Sequence, residues 1–138
     1  HAQGGARLLG VSNFNLEQLK LLCARARVKP SFIQNRCYAS RAWDRDIRAF
    51  CAEQGIRYQG FSLLTANRNL VVHDGFKALA ARYGKTPSQT VFRFALDVGM
   101  VALTGTKDPA HMAEDQDIFD FSLTPEEIRA IENAAVAS

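Results

Sequence analysis

Of the side chains able to do covalent or metal chemistry, the thiols Cys23, Cys37 and Cys51 come first, because a thiolate is both a nucleophile and a metal ligand. They are odd in number, widely spaced, set among apolar or strand-like neighbours and without a Cys-x-x-Cys pair, which predicts buried thiols rather than a metal or redox site. Free buried thiols imply a reducing compartment, so a cytoplasmic location is expected. His1 and His73 have no nameable partners and read as solvent-facing. No Gly-x-Gly-x-x-Gly follows the first apolar run and no Gly-Lys-Ser/Thr phosphate loop occurs, so the usual open-sheet nucleotide fingerprints are missing. The remaining chemistry is neutral and polar, with Asn13 just after the first apolar run and Gln34 inside the second. The plain use of such residues is to cap helices or end strands.

Elements at regular intervals must carry these residues. The apolar run over 6–11 is short and ends at polar residues, as a strand buried in a parallel sheet would. Asn15 then serves as an N-cap with Gln18 as its reciprocal partner, and Leu16, Leu19, Leu22, Cys23 and Ala26 repeat at helical spacing up to Pro30. A second strand is expected over 31–38, followed by a loop and a helix whose inward stripe is Ile47, Phe50 and Cys51, closed by Gly55. A third strand over 56–61 leads into a long loop over 62–74 and a short helix through Tyr83 that Gly84 stops. Thr86-Pro87-Ser88-Gln89 is a capped helix start, and Val91, Phe92, Ala95 and Leu96 turn inward beyond it. The fourth strand is expected over 100–104; Asp108 caps a short helix after it, and Thr124-Pro125-Glu126-Glu127 opens the last one.

Four strands alternating with helices predict parallel pairing through right-handed crossovers, hence an α/β fold of parallel β/α units, and a barrel fragment fits better than an open nucleotide-binding sheet. With 138 residues the expectation is one domain over 1–138. An apolar share of 47% and a charged share of 22% disfavour both disorder and membrane insertion, and no apolar run approaches the roughly 18 residues of a membrane span. A net charge of +3 spread among acids leaves no basic stripe, so nucleic acid is not an expected partner. The start, His1-Ala2-Gln3-Gly4-Gly5, has no initiator Met, basic region or apolar run; it is expected to be an internal cut rather than a signal peptide.

Gly10-Val11-Ser12-Asn13-Phe14 after a strand resembles a hallmark of the aldo/keto reductases, and three further stretches agree with it in order. Gln34 follows on the next strand, Phe61-Ser62 stands where that family has an aromatic-Ser pair, and Tyr83-Gly84-Lys85-Thr86-Pro87-Ser88-Gln89 is similar to a family signature. The resemblance implies the fifth to eighth units of a TIM-type (β/α)8 barrel, about four of eight, since a complete barrel needs roughly 250 residues. It implies an NAD(P)H-dependent aldehyde or ketone reductase acting on a small carbonyl substrate, with this chain as the cofactor-binding half. Ser12, Asn13 and Gln34 would then hydrogen-bond the nicotinamide carboxamide, Phe61 would stack on its ring, and Ser62 and Thr65 would lie beside the pyrophosphate. The segment Gly105, Thr106, Lys107, His111, Glu114 and Asp115 would surround the adenosine phosphate at a helix start whose dipole suits an anion.

Gly105 stands where many members have Lys, His111 where many have Arg, and Asp115 where many have Asn, while Glu114 keeps an acidic position. A mostly neutral His does not replace the permanent fork of an Arg, and Lys107 is the neighbour able to compensate, so NADPH and NADH both stay open as cofactors. The family's catalytic Asp, Tyr, Lys and His would all lie in the preceding half. Tyr83-Gly84-Lys85 belongs before the Thr86 cap and reads as structural, so no catalytic residue is expected in this chain, nor any metal ligand. Trp43, in a loop on the face where barrel active sites occur, either lines a substrate pocket or plugs the core. The short tail over 134–138 offers no counterpart to the long loop of steroid-type reductases. Two functions follow: a reductase whose other half supplies catalysis, or a non-catalytic half-barrel acting as a binding or assembly module. In both, open edges demand pairing with a missing N-terminal half-barrel or with a second copy.

Overall fold

The computed structural model describes residues 4–134 and contains one sheet of four parallel strands in the order β1-β2-β3-β4. The strands are β1 (Gly10–Ser12), β2 (Phe32–Arg36), β3 (Arg57–Phe61) and β4 (Val101–Ala102). Seven helices interleave with them: α1 (Leu16–Arg25), α2 (Arg45–Gln54), α3 (Arg68–Val72), α4 (Asp74–Arg82), α5 (Pro87–Asp97), α6 (Pro109–Gln116) and α7 (Pro125–Ala134). His1, expected to face solvent, and residues 135–138 of the expected short tail lie outside the described residues.

Local chemistry explains most helix ends. Asn15 and Gln18 exchange both bonds of a capping box at α1, and Thr86 and Gln89 do the same at α5, where Pro87 follows the cap. Gly55 and Gly84 end α2 and α4 with φ of 69° and 66°, a left-handed conformation that glycine adopts without strain. His73 was expected to be a partnerless loop residue. It is exposed, but its Nδ1 accepts the Gly75 N–H at 3.2 Å and so caps α4.

Both outer strands are shorter than expected, since the first was read over 6–11 and the last over 100–104. Each has a single neighbour among the described residues, and its pairing is limited to Gly10 to Ser12 against Phe32 to Gln34, and to Val101 and Ala102 against Gln59 and Gly60. The loop expected over 62–74 contains the short α3, begun by the buried Asn67.

The pleat sorts the sheet into two faces. Ile33, Asn35, Tyr58 and Gly60 are buried beneath the helices, beside Leu19 and Cys23 of α1, Cys51 of α2 and Val91, Phe92, Phe94 and Ala95 of α5. A Cβ at Gly60 would meet Met100 Sδ at 3.2 Å and Leu63 Cδ2 at 3.3 Å, so the sheet and helix layers touch there without room for a side chain. The alternate residues, including Ser12, Phe32, Gln34, Arg36, Arg57, Gln59, Phe61 and Val101, form a face that no helix among the described residues covers.

Trp43 proves to be the core plug. It is fully buried, its ring centroid lies 4.9 Å from that of Phe94, and its Nε1–H donates to the Ile131 carbonyl at 3.3 Å, tying α7 to the loop after β2. Ala42, Trp43 and Asp44 reach this position through three successive left-handed residues, with φ of 49°, 55° and 53°. Arg48 closes the same corner, donating to the Trp43 and Val98 carbonyls and pairing with the shielded Glu132. All three cysteines are buried, and burial pushes the Cys37 thiol up to about 12 and the Cys51 thiol up to about 11.

Candidate functional site

The carboxyl ends of the strands carry the residues singled out in the sequence. β1 ends at Ser12, whose register partner on β2 is Gln34, so hydroxyl and carboxamide stand side by side on the uncovered face. Asn13 turns the chain out of the sheet with φ of 58°, a conformation Asn tolerates better than most residues, and its N–H donates to the Gln34 carbonyl at 3.0 Å. Gln34 Nε2 donates to Gln59 Oε1 at 3.1 Å, which fixes the amide plane and leaves Gln34 Oε1 without a protein donor among the described residues. The result is a neutral row of donors and acceptors that suits a carboxamide and needs no charge to be desolvated.

The turn that presents Asn13 is clasped by Asn35, which the sequence reading passed over. Asn35 Oδ1 accepts the Phe14 N–H at 3.2 Å, and Nδ2 donates to the Phe14 carbonyl at 2.9 Å and to Asp44 at 3.1 Å. Tyr58 donates its hydroxyl to the same Asp44 carboxylate at 2.8 Å. Burial first, with the neighbouring Cys37 and Asp44, pushes the Tyr58 phenol far above its ordinary range, so it stays a donor. The available signal was a polar residue at a core-facing strand position, since such a group must find partners.

At the end of β3, Phe61, Ser62, Thr65 and Gly105 line one cleft of about 320 Å³ together with Phe92, Leu103 and Thr104. Ser62 has φ of 56°, so the chain reverses sharply just past the aromatic ring. Ser12, Asn13 and Gln34 lie outside this cleft's lining. Asn13 instead borders a groove of about 510 Å³ with Arg36, Tyr38 and Arg41, where both guanidinium groups face the Tyr38 ring at 5.5 and 5.1 Å from its centroid.

The remaining expected residues form a separate stretch from the β4 exit into α6. Thr106 Oγ1 accepts the Asp108 N–H at 3.1 Å, and Asp108 caps α6 by accepting the Ala110 N–H at 2.8 Å. A carboxylate thus already sits at the positive end of that helix. Lys107 is exposed; His111 is exposed too, with Nδ1 3.9 Å from Asp108 Oδ2. Asp115 accepts the Thr104 hydroxyl at 2.6 Å, and the Glu114 carbonyl accepts from Gln89 at 3.1 Å, so these two help hold α6 in place.

Tyr83 and Lys85 are absorbed by the scaffold. The Tyr83 hydroxyl donates to Glu127, and this bond raises the pKa of the phenol. Lys85 Nζ bridges Asp117 at 2.9 Å and Asp120 at 2.8 Å, and those two bonds raise its pKa. Among the described residues there is no cluster of His, Cys, Asp and Glu able to hold a metal ion, and no helix long and apolar enough to cross a membrane.

The family model described as Aldo/keto reductase family matches residues 1–136. The chain is 34% identical over 130 residues to the 2,5-diketo-D-gluconic acid reductase B of Corynebacterium sp., an alignment that covers 93% of this chain and 46% of that protein. It therefore spans a little under half the length of this curated relative. An aldo-keto reductase from a deep-sea metagenome superposes with a TM-score of 0.88 at 22% identity, over 99% of this chain and 51% of the other, which shows the fold. An aldo-keto reductase crystallised with NADPH superposes with a TM-score of 0.85 at 25% identity, over 96% of this chain and 43% of the other. The four parallel β/α units are accordingly part of a TIM-type barrel, and the chain belongs to the aldo/keto reductase family.

Proposed function

We propose that this chain is the cofactor-binding half of an NAD(P)H-dependent reductase of aldehydes or ketones, and that the Asp, Tyr, Lys and His of the reaction come from a preceding half-barrel. One observation carries the reading: Ser12, the last residue of β1, is the register partner of Gln34 on β2, and the Asn13 backbone N–H donates to the Gln34 carbonyl beside them. A nicotinamide carboxamide fits that neutral row, and when bound the cofactor supplies a hydride. This chain's own residues would bind and orient: Gln34 and Asn13 set which ring face is presented, Phe61 offers a flat apolar surface, and Ser62 and Thr65 offer hydroxyls along the cleft beyond it. Gly105, Thr106, Lys107, His111, Glu114 and Asp115 would border the adenosine end. There the exposed Lys107 is the only permanent cation of the set, so NADP and NAD are separated by little more than that charge. Alone, the chain would bind cofactor without turnover. Three buried thiols support a reducing compartment such as the cytoplasm.

Titration of the 138-residue chain with NADPH and with NADH, followed by fluorescence, tests the reading. Saturable binding is expected, weakened about five- to tenfold by Gln34→Ala, the size of one or two lost hydrogen bonds. Unchanged affinity in that variant would refute the assignment. The uncovered face of the sheet favours a second reading, an assembly module with no nucleotide, for which the same titration would show no binding from a folded chain.

A further inference from the structure

The uncovered face carries charge that nothing among the described residues answers. Its rows run from Arg57 beside Phe32, through Ser12, Gln34 and Gln59, to Arg36 beside Phe61. Arg36 and Arg57 are both exposed, and neither forms an ion pair among the described residues. The Arg36 guanidinium lies 5.5 Å from the Tyr38 ring centroid, and among the described residues neither arginine side chain makes a hydrogen bond. No strand position on this face is acidic, although every Asp and Glu of the chain lies within the described residues.

An arginine cannot shed its proton, so closing a barrel over this wall brings the closing rows against full positive charges at the end of β2 and the start of β3, and a charge that loses water without gaining a partner is destabilising. Barrel interiors are packed rows of side chains, so whatever closes the wall must place its own rows against these. We propose that the closing segment presents carboxylates toward Arg36 and Arg57, and that a second copy of this chain does not close the barrel. This rests on the proposed reading of the chain as half of a barrel, and deepens it by choosing the partner's chemistry. A two-fold copy would double the guanidinium groups inside one wall and add no acid. An upstream half with acidic residues on its inward strand positions would neutralise them, with bidentate geometry available to each guanidinium.

The test uses charge reversal. The wild-type chain and an Arg36→Glu/Arg57→Glu variant are purified separately, mixed in equal amounts and followed by sedimentation velocity and native mass spectrometry at low and high salt. A 1:1 complex at twice the 15.3 kDa chain mass is expected from the mixture, at least tenfold tighter than either self-pair, with the preference shrinking as salt rises. Arg36→Met/Arg57→Met is expected to pair with itself more tightly than the wild type does. Where the double reversal fails to fold, Arg57→Glu alone replaces it. Wild-type self-pairing as tight as mixed pairing would overturn the proposal, and so would folded chains that show no preference for the reversed partner. Titration of each species with NADPH separates the two readings: the expected pairing without cofactor binding sinks only the cofactor assignment, and cofactor binding without charge-selective pairing sinks only this inference.

Discussion

Replacing Asn67 by Ala should remove about 3 kcal/mol of stability while deleting only a few exposed atoms' worth of surface. Asn67 is 5% exposed and holds three backbone groups at once: Oδ1 accepts the Ala39 N–H at 2.6 Å, and Nδ2 donates to the carbonyls of Cys37 at 3.1 Å and Leu63 at 2.7 Å. One side chain thereby joins the exit of β2 to the exit of β3. Each buried backbone group left unpaired costs about 1–3 kcal/mol. A groove of about 480 Å³ borders Asn67 and Ala39, so water can reach part of the gap, and the sum falls toward the lower end of the range, about 3 kcal/mol. With a urea dependence of about 1.5 kcal/mol per M, the unfolding midpoint should drop by about 2 M. Trp43 is the sole tryptophan and is fully buried, so its fluorescence reports the transition directly, with far-ultraviolet circular dichroism as the second probe. Asn67→Asp keeps the size but turns a carboxylate oxygen toward two carbonyls, and should be at least as damaging. The exposed neighbour Asn69→Ala should shift the midpoint by under 0.3 M, on the order expected for a surface change. A shift below about 0.5 M for Asn67→Ala would refute the claim that these three bonds hold the strand exits together.

Ala42→Gly should stabilise the fold by about 1 kcal/mol, because Ala42 opens the left-handed run into Trp43 and glycine adopts φ of 49° freely; an unchanged or lower urea midpoint would count against strain there. Cys37 and Cys51 should resist alkylation at pH 8 in the folded chain and react only in denaturant, since burial raises both thiols well above that pH; labelling followed by mass spectrometry decides it. Stability should fall on acidification through the carboxylates around α7. Hydrogen bonding from Lys85 lowers Asp120, and at Glu127 burial acts upward but the Tyr83 hydroxyl, Thr124 and Arg82 more than offset it. Their folded pKa values lie below the unfolded ones, so their contribution is complete above the ordinary carboxylate range near pH 4 and is lost as pH falls through the depressed values. Urea melts at stepped pH should show this loss, and Glu127→Gln should flatten it.

Much of the chain's design was legible one residue at a time. The capping boxes at Asn15 and Thr86, the stops at Gly55 and Gly84 and the alternation of apolar runs depend on neighbours within a turn, so sequence alone determined those helix ends and the α/β class. The motif around Ser12 and Asn13, together with Gln34, indicated the family that the comparisons then established. What lay beyond sequence were the partnerships across tens of residues. Trp43 could have lined a pocket, and only the packing of α5 and α7 around it made it a plug, because a local pattern carries no information about Phe94 or Ile131. The roles of Asn35, Asn67 and Asp44 arose only when the fold brought backbone groups to the two amides and the Asn35 and Tyr58 side chains to Asp44. The short extent of the two edge strands, each paired on one side, was likewise decided by the fold. The two unanswered arginines became meaningful only when the pleat put them on one uncovered wall, since a charge's cost is set by what surrounds it in space and not by what precedes it in the chain.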